Sequence, residues 1–152
     1  MDLIMEAIDG YRITSLQQEM DFALIHHEIG ESYWAKGIPA STMAKAMANS
    51  LCFAILTDID QQVGFARVIS DFATFAYLAD VFVVEAHRGR GLSKWLVNTI
   101  NNHPELQGLR RSLLATADAH GLYSKFGYKP LANPDRFMEQ WDPYVYQSQK
   151  GG

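Results

Sequence analysis

Apolar residues fall into two kinds of run along the chain, and their spacing separates strands from helices. Leu51–Thr57 and Val63–Ser70 are rich in β-branched and aromatic residues and flank the polar stretch Asp58-Ile59-Asp60-Gln61-Gln62, which predicts a hairpin. Leu78–Val84 is mostly apolar, as a buried central strand would be, and Tyr11–Thr14 and Leu113–Thr116 are shorter strand candidates. Helical spacing governs Leu92, Trp95, Leu96 and Thr99-Ile100. It also governs Leu16, Met20, Ala23-Leu24 and His27, behind a Ser15-x-x-Gln18 capping box, with Gly30 or the Gly37-Ile38-Pro39 turn as the stop. Met43, Ala44, Met47 and Ala48 make a second short helix, capped by Ser41 or Thr42. His103-Pro104-Glu105 breaks helicity. Arg136–Trp141 has a strand-like Phe137-Met138 core that Asp142-Pro143 ends, and Lys150-Gly151-Gly152 reads as a loose tail. Strands at the centre with helices between them predict an α/β fold, a mixed sheet flanked by helices.

Length and composition narrow the class. The chain has 152 residues, the size of one domain, and we take 1–148 as that domain and 149–152 as tail. A hydrophobic content of 48% fits a globular protein, and a net charge of −4 argues against a surface that coats nucleic acid. No apolar stretch is long enough to span a membrane, and Met1–Gly10 carries Asp2, Glu6 and Asp9 where a signal peptide would be basic. Cys52 is the lone cysteine and lies in an apolar strand, which favours a small buried hydrophobe over a nucleophile and a reducing, cytoplasmic setting. No Cys/His cluster has metal-ligand spacing, so no metal is expected.

The candidate chemistry lies in His87-Arg88-Gly89-Arg90-Gly91, between the Leu78–Val84 strand and the helix that starts near Leu92. The first amides of a helix have no intrahelical partner, the helix dipole favours negative charge there, and glycine lets a ligand approach the backbone. The arrangement predicts a site for a phosphate or pyrophosphate, with Arg88 and Arg90 adding positive charge. A dinucleotide-binding G-x-G-x-x-G would need a third glycine where Lys94 stands, and a nucleoside-triphosphate loop G-x-x-x-x-G-K-[ST] occurs nowhere.

The segment Arg88-Gly89-Arg90-Gly91-Leu92-Ser93 resembles the acyl-CoA pyrophosphate loop Q/R-x-x-G-x-G/A of the GNAT superfamily of N-acetyltransferases, with Ser93 in place of the usual glycine or alanine. Leu122-Tyr123-Ser124-Lys125-Phe126-Gly127-Tyr128 is similar to the family's late signature L-Y-x-x-x-G-F. Two motifs in the right order, separated by a helix and a strand, are far more specific than either alone. The resemblance covers residues 51–131 and implies a mostly antiparallel, acyl-CoA N-acyltransferase-like sheet. It also implies acetyl-CoA as co-substrate and a small-molecule amine or a peptide as acceptor. A homodimer is compatible with it.

Direct transfer from a thioester to an amine needs an unprotonated amine, stabilisation of the carbonyl oxygen, and a proton for the departing thiolate. The resemblance gives the last task to Tyr123, because a phenol, which ordinarily titrates near pH ~10 against ~8.5 for a thiol, stays protonated at neutral pH. It gives cofactor contacts to the main chain of Phe82, Val83 and Val84, to residues 88–93, and to Asp118, which stands where many relatives have asparagine. Asp80 is the one carboxylate inside the apolar strand. Some relatives carry an acidic base on this strand, and burial disfavours the charged form, so general base and structural ligand of loop amides are both open. Glu85 is a weaker candidate. In the family the two early helices border the acceptor, so Tyr33 and Trp34 either line its pocket or pack on the sheet. A non-catalytic acyl-CoA-binding module is the rival reading.

Overall fold

The computed structural model of the protein describes residues 5–147; the expected tail after 148 lies outside them. Five strands form one sheet in the order β1 (Tyr11–Thr14), β2 (Leu51–Thr57), β3 (Gln62–Ser70), β4 (Phe75–Val83) and β5 (Arg111–Leu114). The first three pairings are antiparallel and the β4–β5 pairing is parallel, so the sheet is mixed and mostly antiparallel. The parallel pairing needs a crossover, and α3 (Leu92–Asn101) supplies it.

Alternation along the strands builds two cores. On one face Phe53, Ile55, Ala66, Val68, Leu78 and Val83 meet Leu92, Trp95, Leu96 and Ile100 of α3. On the other, Cys52 and Phe65 meet Ile25 and Ile29 of α1 (Phe22–Gly30) and Met43 and Met47 of α2 (Ala40–Ala48). Gly64 sits where β2 and β3 approach closely: a Cβ there would lie 2.8 Å from Ile55 Cδ1.

Several boundaries differ from the sequence pattern. The Ser15 capping box does not start a helix; residues 17–19 make a single 3-10 turn, and α1 begins at Phe22, where the Asp21 carboxylate accepts from the Leu24 amide at 3.1 Å. A carboxylate at the N-cap outcompetes the upstream serine because α1 must also bring Ile25 and Ile29 onto the sheet. The α2 N-cap is Pro39, so Ser41 and Thr42 lie in its first turn. Strand β4 starts three residues before Leu78, and β5 starts two before Leu113 and stops at Leu114. The expected strand around Phe137-Met138 is absent; Met138 is 98% exposed and Phe137 is held instead under the Arg111 guanidinium, 4.8 Å from its ring centre.

Candidate active site

The site starts from a fault in the sheet. Phe65 pairs with Phe82 and Arg67 with Ala79, so Asp80 and Val81 stand opposite Ala66 alone. This is a β-bulge, and Asp80 takes the left-handed backbone conformation, φ 55°, that bends the strand. Pairing of β4 with β5 ends at Leu78 and Leu114, leaving the last five residues of β4 without a β5 partner. The Val84 amide donates to Val63 O at 2.8 Å, so ladder alternation turns the main-chain groups of Val83 away from β3, towards that opening. Phe82 is half-buried against Phe65, ring centres 5.9 Å apart.

At the end of β4 the chain makes a short turn, Glu85–His87, tied to β1 by a 2.7 Å hydrogen bond between the Tyr11 hydroxyl and His87 Nδ1. Arg88 turns back and donates from Nε to Val83 O at 2.9 Å, and its own amide is spent on Glu85 O. Arg88 thus braces the loop, and the amides available to a ligand begin one residue later than the motif suggests. Gly89 (φ 80°) and Gly91 (φ 79°) are both left-handed, a conformation that costs other residues about 1–2 kcal/mol. Among the described residues, none of the amides of Gly89 through Lys94 donates to a protein acceptor. They surround a cavity of about 120 Å³ lined by Val83, Arg88, Gly89, Gly91, Ser93 and Lys94, at the N-terminus of the ten-residue α3. Unpaired amides, a helix dipole and cationic side chains around one hollow are what an anion site requires. Arg90 is exposed beside it, and Ser93 fits without displacing the helix start.

After β5 comes α4 (His120–Ser124), whose N-cap residue Ala119 donates its amide to the Thr116 hydroxyl at 3.0 Å. Tyr123 projects from it into the α3-side core and is 8% exposed. Burial, with smaller contributions from Tyr128, Tyr33 and Asp118, pushes its phenol up to about 12. The Tyr123 hydroxyl has no partner among the described residues, and no buried side-chain oxygen or nitrogen among them lacks one, so this hydroxyl is accessible to solvent. Asp118 is exposed, with its amide on Thr116 Oγ1.

Asp80 is 8% exposed, and both of its oxygens are engaged: Arg67 Nε donates to Oδ2 at 2.7 Å and Trp34 Nε1 to Oδ1 at 2.8 Å. Arg67 also donates to Ser50 Oγ at 3.1 Å. The partners of the carboxylate are thus side chains, where the structural reading expected loop amides. Glu85 lies in the turn after β4 with no ion pair among the described residues. Trp34 and Tyr33 are not core residues. They are 45% and 65% exposed, and Tyr33 Oη accepts from the Ala117 amide at 3.1 Å. Arg67 and Ser50 carried no signal in sequence, since a polar residue in an apolar strand is identified as a ligand only when its partner is known. Cys52 is buried on the α1–α2 side, and that burial pushes its thiol up to about 12, unlike a nucleophile.

A family model for the acetyltransferase (GNAT) domain matches residues 48–130, which include β2 through α4. A crystallised protein from Xanthomonas campestris pv. campestris, assigned to the GNAT family of acetyltransferases, is 46% identical, covers 93% of this chain and 100% of its own, and superposes with a TM-score of 0.89. A Gibberella zeae protein named as an acetyltransferase is 32% identical over 61% of this chain, and the match spans 63% of that curated relative's length. The fold alone is shared with a predicted acetyltransferase from Clostridium acetobutylicum crystallised with acetyl-CoA, at 14% identity, TM-score 0.61, and coverage of 91% and 98% of the two chains. With its bulged strand, glycine-rich helix start and late tyrosine inside the matched region, the chain belongs to the GNAT family of acetyltransferases.

Proposed function

We propose that the protein is an acetyl-CoA-dependent N-acetyltransferase that passes the acetyl group directly to a primary amine. The observation that carries this reading is the set of unpaired amides from Gly89 to Lys94 around one cavity at the start of α3. A diphosphate is the ligand that such a set suits, since it accepts several charge-assisted hydrogen bonds at once. That a fold relative was crystallised with acetyl-CoA supports the choice of ligand. The thioester then lies along the unpaired end of β4, where the Val83 main chain is its neighbour.

In the reaction, the neutral amine nitrogen bonds to the acetyl carbon and the C–S bond breaks. The thiolate takes a proton from the Tyr123 hydroxyl, and the new amide nitrogen releases one to water, from which the tyrosine is restored. A phenol at about 12 remains protonated at every physiological pH, so its proton is present when the thiolate departs. No acyl-enzyme is involved, so rate enhancement comes from proximity and from main-chain dipoles at the carbonyl oxygen. Asp118, exposed beside Tyr123, is assigned to the pantetheine arm. Asp80 is assigned a positioning role: its bonds to Arg67 and Trp34 hold the bulge that ends pairing with β5.

The test is release of free thiol from acetyl-CoA with a panel of primary amines, for wild type and Tyr123→Phe. Amine-dependent release that falls in the variant is the expected result. Tight acetyl-CoA binding with no release on any amine would favour the non-catalytic binding module, a reading to which the fully engaged Asp80 lends weight.

A further inference from the structure

We infer that Tyr33 and Trp34 are the acceptor-recognition residues, and that the acceptor is a small amine carrying a second cationic group. The inference rests on the acetyl-transfer reading for where the thioester lies, but its observations are separate. Trp34 is fastened to Asp80, two residues beyond the last β4 residue that pairs with β5. Tyr33 is fastened to Ala117, three residues beyond the last paired residue of β5. Two consecutive residues of the α1–α2 connection therefore cross the gap where the sheet has come apart. An acceptor that reaches the gap from the α1–α2 side meets these two rings.

Both rings are held by their polar ends and still keep a large part of their surface in solvent. Their centres are 5.1 Å apart and their planes 86° apart, so they form a corner with two aromatic walls. Large exposed aromatics held in fixed orientation cost little further entropy when a ligand arrives. Among the described residues the recorded cation over an aromatic face is Arg111 on Phe137, and neither wall of the corner has one. The ionic surroundings favour a cation. Arg67 is neutralised by Asp80, whereas Asp118, near Tyr33 in the group around Tyr123, is exposed and in no ion pair among the described residues. An ammonium on the face of tyrosine or tryptophan satisfies both the rings and that charge balance.

The chemistry then restricts the ligand further. The attacking nitrogen must be neutral, and the group on the rings must stay charged. A monoamine cannot meet both conditions with one nitrogen; a diamine can, with one nitrogen as anchor and the other as nucleophile.

The probes are cadaverine, a five-carbon diamine, and hexylamine, in which a methyl replaces one ammonium. Their binding to CoA-saturated protein is measured by titration calorimetry, and thiol release from acetyl-CoA is followed with each. In thiol release wild type should use cadaverine with a kcat/KM roughly tenfold above that for hexylamine, the size of a partly desolvated cation–π contact, because hexylamine cannot leave a charge on the rings while its only nitrogen attacks. Tyr33→Leu and Trp34→Leu should each bring that ratio down to about twofold or less and weaken the binding of both amines, while Tyr33→Phe, which keeps the ring, should preserve both. Equal kcat/KM for the two amines, or a preference that survives both leucine variants, would overturn the inference and leave acetyl transfer standing. No binding of either amine would overturn it as well. Ring-dependent binding without thiol release would support the aromatic corner and count against acetyl transfer.

Discussion

Arg67 Nε lies 2.7 Å from Asp80 Oδ2, and this ion pair clamps the one left-handed residue of β4. Both side chains are largely withdrawn from solvent, at 15% and 6% exposure, so the pair is a buried one. Asparagine tolerates the left-handed backbone as well as aspartate does, which makes Asp80→Asn a clean removal of charge. It leaves the Arg67 guanidinium buried without its counter-charge, and urea unfolding should show a loss of roughly 3 kcal/mol. A loss below about 0.5 kcal/mol, the size of an ordinary surface change, would mean that the pair does not hold the bulge.

Tyr123→Phe keeps the ring that packs beside α3 and removes only the hydroxyl. If that hydroxyl protonates the departing thiolate, kcat should fall by roughly a hundredfold to ten-thousandfold, the usual contribution of a general acid.

The same residue makes a prediction about pH. Burial raises the Tyr123 phenol from 10 to about 12, so the folded protein holds this proton more tightly than the unfolded chain does. Its contribution to stability is therefore intact below pH 10 and is lost as pH rises towards 12. In the same way, the pH–rate profile should rise as the amine loses its proton and show no falling limb from this acid below pH 10. Thermal melting and initial rates across alkaline pH check both.

Gly89 and Gly91 test the loop. A Cβ on Gly89 would meet no protein atom within 4 Å, and one on Gly91 only Ile8 Cδ1 at 3.9 Å. In Gly89→Ala and Gly91→Ala the unliganded fold loses only the backbone cost, about 1 kcal/mol. Acetyl-CoA binding should weaken further, by roughly tenfold or more, because displaced amides lose charge-assisted hydrogen bonds. Thermal shift and titration calorimetry separate the two effects.

Cys52 should behave as a core residue. It is 1% exposed and its thiol is pushed up to about 12, so iodoacetamide at mild alkaline pH should label it only in denatured protein. Labelling of the native chain at the rate of a free thiol would contradict its placement.

Much of this was legible in the residues themselves. The β2–β3 hairpin and the α3 face followed from period, and the strand-to-helix turn followed from its two glycines, both of which are left-handed. What local pattern could not supply was partnership. Asp80 reads in sequence as a carboxylate in need of a reason, and the reason is Arg67, thirteen residues away, and Trp34, forty-six away. Arg88 reads as a phosphate ligand, and local pattern does not announce that its Nε is also bound to Val83 O. Phe137-Met138 has strand-like composition, but a strand also needs a neighbour, and Phe137 packs with the Arg111 side chain instead of joining β5.

The central claim is that the amides at the start of α3 receive a diphosphate. Titrating the isotope-labelled protein with coenzyme A and recording amide proton shifts addresses it directly. The amides of Gly89, Gly91, Leu92 and Ser93 should move downfield together and saturate with a single affinity. Saturable binding that leaves those four unmoved and shifts other amides would contradict the account.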